Sequence, residues 1–139
     1  MDAGGAGRQR GAPSKLVEYG PIDCDVQVAY VADGAKNNAE GARGGHSGGA
    51  VKQQKEVNGQ LEALPACGVI TMQADERFVI RTNGGGGYGN PLERDRDLVE
   101  HDLREGWISE DQARNTYGWS GDFPQRNSHA VSSYPKKED

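Results

Sequence analysis

Apolar and polar positions alternate along the first eighty residues, and a longer repeat replaces that alternation afterwards. Asp25 to Ala32 shows the short period most clearly. Val26, Val28 and Tyr30 fall on one face, with Gln27, Ala29 and Val31 on the other, as in a strand. Ser14 to Tyr19 reads as an earlier strand. The Gly20-Pro21 punctuation between the two predicts an antiparallel pair. Val51 to Leu64 is more polar but contains Asn58-Gly59, which predicts a hairpin because the I′ turn needs positive φ at both central residues. Gly68 to Met72 and Arg77 to Thr82 follow as strands, joined through Ala74-Asp75-Glu76. In the last, Phe78 and Ile80 share one face while Arg77, Val79 and Arg81 share the other.

Beyond residue 90 the period lengthens to about 3.6. Asn90 can cap a turn with Pro91 in its first position and Glu93 behind it, and Asp95 is a second cap. Arg96 to Glu105 then sets Leu98, Val99 and Leu103 on one side, pairs Glu100 with Arg104, and stops at Gly106. Ser109 and Gln112 make a capping box for a second helix that runs to about Tyr117 and closes at Gly118. Ala113 and Tyr117 lie on its inner face. The expected fold class is therefore α+β. A small, mostly antiparallel β-unit over 14–82 meets a glycine corner over 83–90, and an αα-hairpin over 91–118 follows.

Three stretches have neither period. Residues 1–13, with Arg8 and Arg10 among glycines, read as an extended lead-in. Asp33 to Ala50 holds six glycines in eighteen residues. A loop of that length is usually functional or disordered, so it reads as a mobile surface loop or as one ordered against a neighbouring subunit. Residues 119–139 form a polar tail carrying Trp119, Phe123 and Tyr134. It is either free, or docked on a partner through its aromatic residues.

Composition sharpens this picture. Only 34% of the 139 residues are apolar, and the aromatic residues are two Phe, two Trp and five Tyr. Twenty-one glycines add almost no burial. The expectation is a fold whose apolar faces are completed by another subunit. The net charge of −5 gives no basic face for nucleic acid. No apolar run approaches the ~18 residues of a membrane span. The N-terminus lacks a basic-then-apolar signal, and Cys24 and Cys67 are isolated. Together these predict a reduced, cytoplasmic setting.

The candidate chemistry centres on four consecutive glycines, Gly84 to Gly87, followed by Tyr88 and Gly89. Gly84-x-Gly86-x-x-Gly89 fits the dinucleotide fingerprint formally, but a helix follows where that motif needs a second parallel strand and an acidic residue. No Lys-Ser/Thr follows to make a phosphate loop. Two readings stay open. The corner is a tight turn that tucks Tyr88 against the sheet and aims the helices, or it is a nest whose N–H groups at Gly85, Gly86, Gly87 and Gly89 contact an anion. His46, His101, His129, Cys24 and Cys67 lack metal-ligand spacing. His101 reads as a solvated helix residue. Cys24 sits between aspartates that disfavour its thiolate. No catalytic residue and no metal ligand is expected.

The run Thr82-Asn-Gly-Gly-Gly-Gly-Tyr-Gly-Asn-Pro-Leu-Glu-Arg-Asp95 is joined by Val99, Arg104-Glu-Gly106, Ser109 and Tyr117-Gly118. Together they closely resemble the C-terminal end of the hydantoinase B family, which includes N-methylhydantoinase large subunits, the second half of 5-oxoprolinases and ATP-dependent ketone carboxylases. Gly5 to Gly11, the Tyr19 region and the Gly41 to Gly49 loop fall in the family's order. Asn83 stands where the family usually has proline, and the family's large N-terminal portion has no counterpart here. With Met1 at its start, the chain reads as a separately encoded piece and looks like the small β subunit of an acetophenone carboxylase. The resemblance implies hydantoinase A-like and hydantoinase B-like large subunits as partners. It also implies ATP with Mg or Mn in the holoenzyme, and no cofactor on this chain. An ATP-dependent hydantoinase or oxoprolinase subunit is the alternative within the family. A non-enzymatic anion-binding module is the alternative outside it.

Overall fold

A computed structural model describes residues 1–121. The alternating runs form six strands: β1 (Leu16–Tyr19), β2 (Val26–Val31), β3 (Lys52–Val57), β4 (Gln60–Ala63), β5 (Cys67–Met72) and β6 (Arg77–Arg81). Two helices follow, α1 (Arg96–Arg104) and α2 (Glu110–Asn115). The class is α+β and all strand pairing is antiparallel, as expected.

The pairing of the first strands differs from expectation. β1 does not pair with β2 across the Gly20-Pro21 turn. It pairs with β6, in the four-stranded order β1-β6-β3-β4, while β2 pairs with β5 in a separate ribbon. The cause lies in the side chains. Tyr30 and Met72 of the ribbon are buried on Phe78 of β6, with Val28, Ile70 and Ile80 packed around them. Tyr19 stacks on Phe78 with ring centroids 5.3 Å apart. Placing β2 in a separate ribbon buries Tyr30 on Phe78, removing its apolar surface from water. A Lys55–Glu76 ion pair of 2.6 Å fastens β3 to the turn before β6. The hydrogen bond from Lys55 holds the Glu76 carboxyl below its ordinary range. The Asn58-Gly59 hairpin forms as read, with φ of 51° and 75°.

The helical hairpin also forms, with three changes. The inner face of α1 carries Val99, Asp102 and Leu103, whereas Leu98 is exposed. α2 ends at Asn115, and Tyr117 is buried in the turn that follows it. The capping box is half made. Ser109 Oγ accepts from the Gln112 N–H at 3.0 Å, but the Ser109 N–H donates to Asp2 Oδ1 at 2.7 Å. The caps at Asn90 and Asp95 and the positive-φ stops at Gly106 and Gly118 are as read. Trp119 is not a free anchor. It is buried with Ala6, Val99, Leu103, Ile108, Ala113 and Tyr117. Phe123 and Tyr134 lie outside the described residues.

Candidate functional site

The glycine corner is the centre of the molecule, but it is not a turn. Residues 84–89 run extended, and of these glycines only Gly89 has positive φ. Successive backbone groups bond to different neighbours around the run. The N–H groups of Gly84, Gly87 and Gly89 donate to the carbonyls of Gly49, His46 and Ala42, at 3.0, 2.9 and 3.0 Å. Those of Gly85 and Tyr88 donate to Ala12 and Gln9, at 3.0 and 2.9 Å. In return Gly5 donates to the Gly85 carbonyl at 2.8 Å, and Ala42 to the Gly87 carbonyl at 2.9 Å. His46 and Gly49 also donate to the carbonyls of Ala6 and Ala3, both at 2.7 Å. The result is a rod of extended passes, with 84–89 held between 3–12 and 39–49.

Glycine is required because the passes lie too close for side chains. A Cβ on Gly84, Gly86 or Gly87 would sit well within 3.0 Å of the carbonyls of Ala3, Glu40 and Ala6, respectively. The same holds from the other side at Gly5 and Gly45. Backbone groups satisfied in this way need neither helix nor sheet.

Three expectations change here. The first thirteen residues are not a loose lead-in, since Gly4 to Gly7 are buried in the rod. Within the 33–50 stretch, residues 39–49 are ordered against the chain's own N-terminus and glycine run. Tyr88 does not tuck against the sheet. It is 42% exposed and bridges Gln9 and Ala42. For an anion nest, the N–H groups of Gly85, Gly87 and Gly89 would have to leave the carbonyls they already serve. Gly86 is the remaining candidate for such a contact.

A buried ion cluster clamps the rod to the helices. Asp102 Oδ2, on α1, accepts from Arg10 Nε at 2.9 Å and from Arg94 Nη2 at 2.8 Å. Asp102 is 1% exposed. Arg94 also donates to the Arg8 carbonyl at 3.1 Å, and the Arg10 guanidinium lies 4.9 Å from the Trp107 ring. A buried carboxylate needs such partners, because burying a lone charge is very costly. Reading the sequence missed this cluster. The signal was present in the register of α1, where Asp102 occupies the apolar stripe three residues after Val99. Tyr117 packs beside the clamp, and burial pushes its phenol above the ordinary tyrosine range.

Cys24 and Cys67 are unpaired and exposed. His101 lies edge-on to Trp107 at 5.3 Å, His46 joins the rod through its backbone, and His129 is outside the described residues. Among the described residues no three His, Cys, Asp or Glu side chains converge to hold a metal. Two concavities, about 220 Å³ beside Val51, Gln53, Leu64 and Pro65 and about 290 Å³ beside Leu16, Leu61 and Val79, lie at or below the roughly 300 Å³ at which small-molecule sites begin. Among the described residues no helix is long and apolar enough to cross a membrane.

Comparison with known proteins gives a consistent set of likenesses. The family model for hydantoinase B/oxoprolinase matches residues 1–91. The caprolactamase subunit beta of Pseudomonas jessenii is 32% identical over 124 residues, covering 84% of this chain and 21% of that protein. An uncharacterised protein of Methanocaldococcus jannaschii is 31% identical over 116 residues, covering 84% and 20%. Among solved structures, the ATP-dependent caprolactamase of Pseudomonas jessenii superimposes with a TM-score of 0.70 at 27% identity, over 94% of this chain and 24% of that one. Nucleotide-free acetone carboxylase shares the fold, with a TM-score of 0.58 at 18% identity over 85% and 20%. The chain spans about a fifth of the length of the curated relatives it matches.

Proposed function

The chain belongs to the hydantoinase B/oxoprolinase family, and from that premise we propose that it is an accessory subunit of an ATP-dependent complex. It completes a larger hydantoinase B-like subunit and performs no chemistry of its own. One observation carries this reading. The fold fills 94% of this chain but only 24% of the caprolactamase chain on which it superimposes. The glycine rod, clamped to a helical hairpin and with no gathered metal-ligating group among the described residues, suits a supporting wall. ATP, its divalent metal and the reacting carbonyl compound then belong to the large hydantoinase A-like and B-like subunits.

For the reaction, we take the complex to be a ketone carboxylase of the acetophenone type. It would couple ATP hydrolysis to adding bicarbonate to a methyl ketone, giving a β-keto acid. Support comes from the glycine-tyrosine motif and the fold shared with acetone carboxylase. Cleavage of a cyclic amide is the second reading, favoured by the 32% identity to the caprolactamase subunit. Reconstituting the complex with and without this chain tests both points. ATP-dependent incorporation of labelled bicarbonate that needs the chain is the expected result. Lactam or hydantoin opening without carbon fixation would move the assignment to the second reading, and ATP-dependent turnover by the chain alone would overturn the subunit role.

A further inference from the structure

The two β-layers present very different outer faces. On the four-stranded sheet the outer side mixes the exposed Leu16 and Leu61 with Glu18, Glu56 and Arg81 around the buried Val79. The ribbon of β2 and β5 buries its inner side chains on Phe78, and its outer face consists of the alternate residues. By register these are the cross-strand pairs Gln27–Thr71, Ala29–Val69 and Val31–Cys67. None is charged and all six are exposed, Val31 at 82% and Val69 at 61%. In a chain with 27% charged residues, this exposed face carries no charge. Among the described residues β2 and β5 pair only with each other, so neither outer edge carries a further strand, although Lys55 Nζ donates to the Thr71 carbonyl at 3.2 Å. A two-stranded ribbon is marginal unless something covers it, and open uncharged edges invite pairing.

We propose that this outer ribbon face, centred on Val31, Cys67 and Val69, is the docking surface for the remaining part of a hydantoinase B-like subunit. The inference rests on the subunit reading above. What identifies the occupant is length: the same fold is embedded in a solved chain about four times as long. The patch asks for an uncharged, aliphatic surface on that larger part, with backbone groups able to extend the ribbon. The mixed-charge face of the four-stranded sheet stays in solvent.

The full chain and the large hydantoinase B-like subunit, prepared separately, provide the test. Sedimentation of the mixture reads association, and maleimide labelling of Cys67 against the exposed Cys24 reads the surface. Association of the unaltered chain should slow Cys67 labelling about tenfold or more, and a Val31→Lys/Val69→Glu variant should bind about 100-fold more weakly. Leu61→Lys, on the other sheet, should bind as the unaltered chain does. If complex forms but Cys67 labels at its free rate, the docking face is wrong while the subunit reading stands. The labelling is measured on the unaltered chain, so it does not depend on the variant folding. Protection of Cys67 in the chain alone, with sedimentation as a dimer, would hand the face to a second copy and overturn the proposal. No association in any mixture would remove the subunit reading itself.

Discussion

The glycine rod and the helical hairpin meet at Asp102, yet opposite means hold them. In the hairpin, backbone bonds are local, and cohesion comes from side chains: Val99, Leu103, Ile108, Ala113, Tyr117 and Trp119 pack together. In the rod, side chains are absent where it matters, and cohesion comes from backbone bonds between passes far apart in sequence. The difference teaches where each region is fragile. A helix tolerates a changed side chain on its outer face. The rod tolerates no side chain at all at Gly84, Gly86 or Gly87.

The largest effect should follow from adding bulk to the rod. Gly84→Val would push against the Ala3 carbonyl from inside, and denaturant unfolding should show a loss of more than about 4 kcal/mol. An equally stable variant would mean that the passes can separate. Next is the clamp. Asp102→Ala leaves Arg10 and Arg94 buried without their carboxylate, at a cost of about 3–5 kcal/mol. Thermal unfolding should then show the rod and the hairpin melting less cooperatively.

The third effect is a pH dependence on the helical side only. Burial raises the Tyr117 pKa in the fold, so its neutral form is favoured there. That contribution is complete below the unfolded pKa of about 10 and is lost as pH rises through the higher folded value. Alkaline denaturation should therefore steepen above about pH 10, and Tyr117→Phe should flatten it. Smallest is Glu100→Gln. It removes a half-exposed pair with Arg104, 2.9 Å long, and should cost under about 0.5 kcal/mol, less at high salt.

The same contrast explains what was legible beforehand. Asn90, Asp95, Ser109, Gly106 and Gly118 mark the helix ends because a helix bonds within itself, so capping chemistry is written beside the element it serves. The Asn58-Gly59 turn is local in the same way. Pairing of β1 with β6 and β2 with β5 was not legible, since it depends on where Tyr30 and Met72 find Phe78. The rod was least legible of all. Glycine has no side chain to carry a period, so residues 1–13 and 33–50 looked like loops although they enclose residues 84–89. Asp102 was readable only in retrospect, as a charge on the apolar stripe of α1 with Arg10 and Arg94 to meet it.

Hydrogen exchange on the full chain, alone and with the large hydantoinase B-like subunit, bears most directly on whether this polypeptide is part of a larger body. Amides along β2 and β5 should exchange readily in the isolated chain and become strongly protected on mixing, while those of the glycine rod change less. Identical exchange in both samples, from a chain that turns over substrate and ATP unaided, would contradict the account.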